Sequence, residues 1–215
     1  FEVVNTIRYK IKHRLGVKKI KVGHAGTLDP MATGLLILCT GKFTKKLAGY
    51  QILPKEYTGT LVLGGTTPSY DTETEIEQRY PVAHIDAERL EVARRRFLGD
   101  IEQVPPMFSA IKVDGQPLYK RARRGDQIKL EPRRVHIYEF ELTRVALPDV
   151  DFLVRCSKGT YIRSLAYDFG QALDSGAYLS ALRRTKIGDY DVEEAWKLEE
   201  LVDYIEEGPI VGADV

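Results

Sequence analysis

The chain has 215 residues, 43% hydrophobic and 29% charged, which suits one sizeable globular domain or two small ones. No stretch approaches the roughly 20 apolar residues a membrane helix needs. Two cysteines, Cys39 and Cys156, make no disulfide framework, and the scattered histidines His13, His24, His84 and His136 form no metal-ligand spacing with them, so no structural or catalytic zinc is expected. The formal net charge of +1 hides an asymmetry: nine acids and one base fall between Asp191 and Val215, leaving residues 1–190 with 31 bases and 22 acids. A basic body with an acidic tail fits a polyanionic partner, although solvated helix faces would look the same.

In chain order, Val4, Ile7, Ile11 and Leu15 recur at helical spacing and Gly16 follows as a stop. A glycine-studded loop precedes a short apolar strand expected over Leu35–Leu38, and Tyr57–Leu63 reads as a second strand ending at Gly64-Gly65. Asp86 is placed to cap a helix carrying Leu90, Ala93 and Phe97 and closed by Gly99. Val135–Leu142 and Phe152–Cys156 alternate as strands, Ile162, Leu165, Ala166, Phe169 and Leu173 mark a helix, and Leu198, Leu201, Val202 and Ile205 mark another. Strands and helices interleave without a regular βαβ repeat. The expected class is α+β, with a mixed, mostly antiparallel sheet flanked by helices. Residues 104–125 fit a packed body poorly: Pro105-Pro106, an Asp114-Gly115 turn, and Lys112, Lys120, Arg121, Arg123 and Arg124 with Phe108 and Tyr119 among them. Cations meet phosphates and rings stack on bases, so this is either an RNA surface or an ordinary exposed hairpin and helix.

The run Gly23-His24-Ala25-Gly26-Thr27-Leu28-Asp29-Pro30-Met31-Ala32-Thr33-Gly34 sets one carboxylate in that loop. A loop aspartate is by default a turn or cap residue. Here Pro30 biases Asp29 away from helical geometry, and the glycines allow close approach of a ligand. The run resembles the signature of the TruB family of tRNA pseudouridine synthases. Four further stretches match that family in order: Lys55-Glu56-Tyr57, the segment from Pro105 through Lys112 to Gly125, Cys156-Ser157-Lys158-Gly159-Thr160-Tyr161-Ile162-Arg163, and Leu182-Arg183-Arg184-Thr185.

The resemblance implies a pseudouridine synthase fold with a thumb-like insertion at about 104–125, a catalytic domain over 1–190, and an acidic tail over 191–215 in place of a full C-terminal RNA-binding module. It also implies that a Lys-Pro-rich segment normally preceding the first helix is missing before Phe1. Asp29 would be the catalytic nucleophile, Arg163 its bidentate partner, and Tyr57 the residue that stacks on the uracil and removes the C5 proton. Tyr161 and Leu182 would line the uridine pocket, His24 would fill the space left by flipped nucleotides, and Asp71 would be an acidic loop position on the substrate side. Lys112, Tyr119, Lys120, Arg121, Arg123 and Arg124 would grip the T arm of tRNA. The implied reaction isomerises the uridine at position 55 of the TΨC loop, in the cytoplasm, by a monomer without cofactor, guide RNA or membrane. Rival readings are a guide-RNA-dependent dyskerin or Cbf5 relative, a non-catalytic RNA-binding module, and a phosphate-loop enzyme; the glycine run lacks the Lys-Ser or Lys-Thr ending of the last.

Overall fold

The computed structural model describes residues 2–209, so Phe1 and the end of the acidic tail at 210–215 lie outside the described residues. Helix α1 (Glu2–Arg14) leads to β1 (Val22–His24), which pairs with β3 (Leu38–Thr40) across the Asp29 loop; the short β2 (Thr33–Gly34) lies between them. The strand expected over Leu35–Leu38 is therefore interrupted. The Leu35 N–H donates to the carbonyl of Arg184 at 2.8 Å, a distant partner that takes the chain off the β3 ladder until Leu38.

A 3₁₀ turn (Gly41–Lys46) and α2 (Leu47–Ile52) precede β4 (Lys55–Leu63), and β5 (Gly65–Thr66) pairs with β6 (Gln78–Arg79). Asp86 caps α3 (Ala87–Arg95) by accepting from Arg89 N at 2.8 Å. The helix ends earlier than the spacing suggests. Arg96 and Phe97 N–H groups bond to the carbonyls three residues back at 3.1 Å, tightening the last turn and setting the Phe97 ring edge-on to Phe169, and Gly99 opens β7 (Gly99–Gln103) instead of closing the helix. The thumb region holds β8 (Lys112–Val113), β9 (Gln116–Pro117) and α4 (Leu118–Ala122). Then follow β10 (Arg133–Ala146), β11 (Asp149–Cys156), α5 (Ile162–Ala172), β12 (Ala177–Ile187), β13 (Tyr190–Asp191) and α6 (Leu198–Glu207).

Among the described residues the main sheet has seven strands in the order β13-β12-β4-β11-β10-β7, with β2 beside β12. Only the β2–β12 pairing is parallel, so the sheet is mixed and mostly antiparallel, as the α+β expectation held. Period-two burial explains which face packs: Val150, Phe152, Val154 and Cys156 of β11 turn inward together with Leu61 and Leu63 of β4. Leu165, Ala166 and Phe169 of α5 and Leu173 at its C-cap cover them, and Phe140 meets Phe152 and Phe169 with ring centroids 6.3 and 5.6 Å apart. Gly59 lets β12 pass close, since a Cβ there would collide with the Ala181 carbonyl. A second cluster joins Val4 and Ile7 of α1 to Val22 and to Leu198, Leu201, Val202 and Ile205 of α6, and Lys10 reaches Glu206 at 2.6 Å. The acidic end of the described chain is thus tied to its basic first helix.

Candidate active site

Arg163 stands in the first turn of α5 and is 3% exposed. The turn before it is held by Gln103 of β7, whose side chain accepts from Tyr161 N at 2.7 Å and donates to Tyr161 O at 3.0 Å, replacing a strand partner for that residue. From this base the guanidinium makes four polar contacts. Nη2 donates to Asp29 Oδ1 at 2.6 Å and to Phe108 O at 2.9 Å; Nη1 donates to Ser69 O at 3.1 Å and lies 3.5 Å from Asp71 Oδ2. The fork-on-fork pair with Asp29 is not formed. One Nη holds one carboxylate oxygen, the two Nη atoms also serve two carbonyls and a second acid, and the buried Nε has no hydrogen-bond partner. Asp29 keeps a quarter of its side chain exposed, while Asp71 is 1% exposed and also accepts from Glu73 N at 2.9 Å. Asp71 is thus stationed behind Arg163, away from solvent.

Tyr57 projects from β4 toward the same centre. Burial pushes its hydroxyl pKa up, the nearby Arg184 charge pulls it back, and the Asp29 charge adds a small upward push. The phenol is therefore neutral at physiological pH and sits within the electrostatic reach of Asp29. Leu182, 5% exposed, pairs across with Gly59 and packs in the cluster that Tyr57, Met31 and Ala32 border. Tyr161 is half-buried, with the Arg133 guanidinium 5.7 Å from its ring. His24 is half-buried at the end of β1, opposite Leu38. Elements far apart in sequence therefore bring Asp29, Tyr57, Arg163 and Asp71 together, with Leu182 on the core side.

The profile of the TruB family pseudouridylate synthase N-terminal domain matches residues 12–162, and that of the tRNA pseudouridylate synthase B C-terminal domain matches 163–209. The chain belongs to the TruB family. The junction of the two TruB profiles falls inside α5, between Ile162 and Arg163, within one continuous sheet-and-helix layer. Among TruB relatives, the tRNA pseudouridine synthase B of Flavobacterium johnsoniae is 59% identical over 91% of this chain and 86% of its own length. That of Phocaeicola vulgatus is 52% identical over 98% and 89%. Among solved structures, a Cbf5-Nop10-Gar1 complex matches with a TM-score of 0.66 at 29% identity over 92% of this chain. An H/ACA RNP bound to a substrate RNA containing 2'-deoxyuridine matches with 0.64 at 28% over 93%. The chain spans about half the length of those two matched chains, 49% in each case.

In this TruB chain the thumb is built around Leu118, fully buried, whose N–H donates to Ile111 O at 2.7 Å. Its cations differ in kind. Arg121 is half-buried between Asp126 (3.1 Å) and Asp114 (3.5 Å), and Arg123 reaches out of the thumb to Glu73 at 2.6 Å. Arg124 donates to Gln116 Oε1 at 2.7 Å, while Lys112 and Lys120 are exposed and no salt bridge reaches them among the described residues. Tyr119 is half-buried under Arg123, 5.7 Å from the guanidinium carbon.

Two features escaped the sequence reading. Arg184 stood only as a letter within a matched segment, yet it is 1% exposed and braces the Asp29 loop; its signal was an arginine at an inward, period-two position beside Leu182. The other is a lysine flank. Between Leu15 and Lys55 the sole acid is Asp29, and Lys18, Lys19, Lys21, Lys42, Lys45 and Lys46 are all exposed with no salt bridge among the described residues. Gly41 N donates to Lys21 O at 2.9 Å, which brings the two halves of this flank side by side.

Proposed function

We propose that this TruB-family tRNA pseudouridine synthase acts on the uridine at position 55 of the TΨC loop, with Asp29 as nucleophile and the target base flipped out and stacked on Tyr57. The observation that carries the reading is the Asp29–Arg163 contact: a carboxylate, partly open to solvent, oriented by a buried guanidinium at 2.6 Å. The reaction breaks N1–C1′, joins C5 to C1′, and transfers the C5 proton in net terms to N1, so it needs neither oxidant nor group donor. Arg163 keeps Asp29 aimed, which a nucleophile requires. Tyr57 offers a ring face for the uracil, and its hydroxyl lies beside the reacting centre for the final proton removal. A buried target uridine must leave its stack to reach Asp29, and His24 would take its place.

The thumb at 104–125 would grip the T arm through Lys112, Lys120 and Arg124 with Tyr119, while Arg121 and Arg123 keep the thumb in shape. Tyr161 and Leu182 would border the uridine, and Asp71 would serve the site by holding Arg163. Residues 1–190 would act as the catalytic domain and 191–215 as an acidic appendage. The enzyme would work as a monomer in the cytoplasm and without a guide RNA; the basic thumb and lysine flank supply RNA contacts on this chain itself.

Asp29→Asn is expected to lower single-turnover pseudouridine formation by more than about 10³-fold while tRNA affinity stays within a few-fold. Tritium release from tRNA labelled at uridine C5, read beside filter binding, measures both. Turnover near the wild-type rate would remove Asp29 from the mechanism, and pseudouridine mapped outside position 55 would remove the T-loop assignment.

A further inference from the structure

We infer that Arg184 is a positioning residue that locks the Asp29 loop and Tyr57 into one rigid unit. This rests on the reading that Asp29 and Tyr57 face the substrate uridine. Arg184 lies on β12 with Tyr57 as its cross-strand neighbour and is among the largest fully buried side chains. Its Nε donates to Leu35 O at 2.8 Å and its Nη2 to Gly26 O at 3.1 Å, so one guanidinium ties the two ends of the loop that carries Asp29. The backbone joins in: Arg184 O accepts from Leu35 N at 2.8 Å, and the residue pairs with Gly34 of β2. Gly34 has φ of 101°, and a Cβ there would collide with the Arg184 backbone, so the loop sits against this residue more closely than any side chain permits. The Arg184 cation also lies close enough to Tyr57 to draw the phenol's pKa down against the rise that burial causes.

A buried arginine could serve stability alone. What sets Arg184 apart is where it stands: its side-chain bonds end on both flanks of the nucleophile loop, and its strand neighbour is the residue proposed to hold the base. No other side chain among the described residues hydrogen-bonds to both of these flanks. The planar fork is what spans the two carbonyls at once, which an ammonium cannot do.

The test compares Arg184→Met and Arg184→Lys with wild type, at temperatures where circular dichroism shows each variant fully folded. Arg184→Met is expected to lower kcat by about 100-fold and Arg184→Lys by about 10-fold, because a displacement of about 1 Å at the reacting atoms is costly. In both, KM and filter-binding affinity for tRNA stay within about threefold. The Arg184→Lys effect is expected to shrink in a Tyr57→Phe background, where the hydroxyl that Arg184 helps to place is already gone. If Arg184→Met does not fold, Arg184→Lys and its combination with Tyr57→Phe carry the test alone. A kcat within twofold of wild type in folded Arg184→Lys and Arg184→Met, a loss confined to KM, or fully multiplicative effects with Tyr57→Phe would overturn the inference. Asp29→Asn, run alongside, separates the failures: an inactive Asp29→Asn with fully active Arg184 variants overturns the role of Arg184 alone, whereas an active Asp29→Asn overturns both readings.

Discussion

Asp168 stands on α5 one residue before Phe169, and burial lifts its carboxyl from 3.8 to about 6. Between those values the folded protein binds more protons than the unfolded chain, so stability falls as pH rises through the window. Above about pH 6 the ionised form is a standing penalty. Asp168→Asn should therefore stabilise the protein at pH 7 by about 1 kcal/mol, allowing for partial solvent screening, and the gain should vanish by about pH 4. Urea melts of both proteins from pH 4 to 7.5 would show it; a gain independent of pH would contradict the sign. Arg163 is the opposite case, a buried cation with two carboxylates and two carbonyls around it. Its nearness to Asp29 was legible from two matched segments 134 positions apart. That it holds Asp29 by one oxygen was not legible, because Ser69, Asp71 and Phe108 compete for the same fork and come from other elements.

At the scale of elements, alternation and helical spacing located most of the fold. Where they failed, a long-range partner had intervened. The apolar run after the Asp29 loop reads as one strand, but Arg184 takes the Leu35 N–H and divides it. β12 was visible only as the segment around Leu182, since two bulges break its alternation against β4 and a buried arginine stands where an apolar residue is expected. Gln103 shows the same dependence: it closes β7 yet satisfies the backbone of Tyr161 at the head of α5. Gln103→Ala leaves the Tyr161 N–H without its partner, while Tyr161 O keeps the Leu165 N–H at 3.0 Å, and should cost about 1–3 kcal/mol of stability. Differential melts would measure this, with uridine turnover falling as the Tyr161 turn loosens; a melting temperature unchanged within a degree would mean that another group takes over the pairing.

At the scale of the molecule, charge is distributed by surface and not by segment. The thumb carries fewer free cations than its sequence suggests, because Arg121 and Arg123 are engaged with Asp126, Asp114 and Glu73. The lysine flank on the other side of the Asp29 loop carries more. Replacing Lys112, Lys120 and Arg124 with glutamine, or Lys42, Lys45 and Lys46 likewise, should each flatten the plot of log affinity for tRNA against log salt, by about 0.7–0.9 per lost phosphate contact. An unchanged slope for either set would take that surface out of the RNA interface. Residue order alone dictated the α+β class, the family and the candidate nucleophile, because periodic burial and short motifs are local properties of the chain. Tertiary structure decided how Asp29 is held, which thumb arginines are spoken for, and that Arg184 binds loop and strand together. Buried charges choose partners by distance in space, and no spacing along the chain encodes that choice.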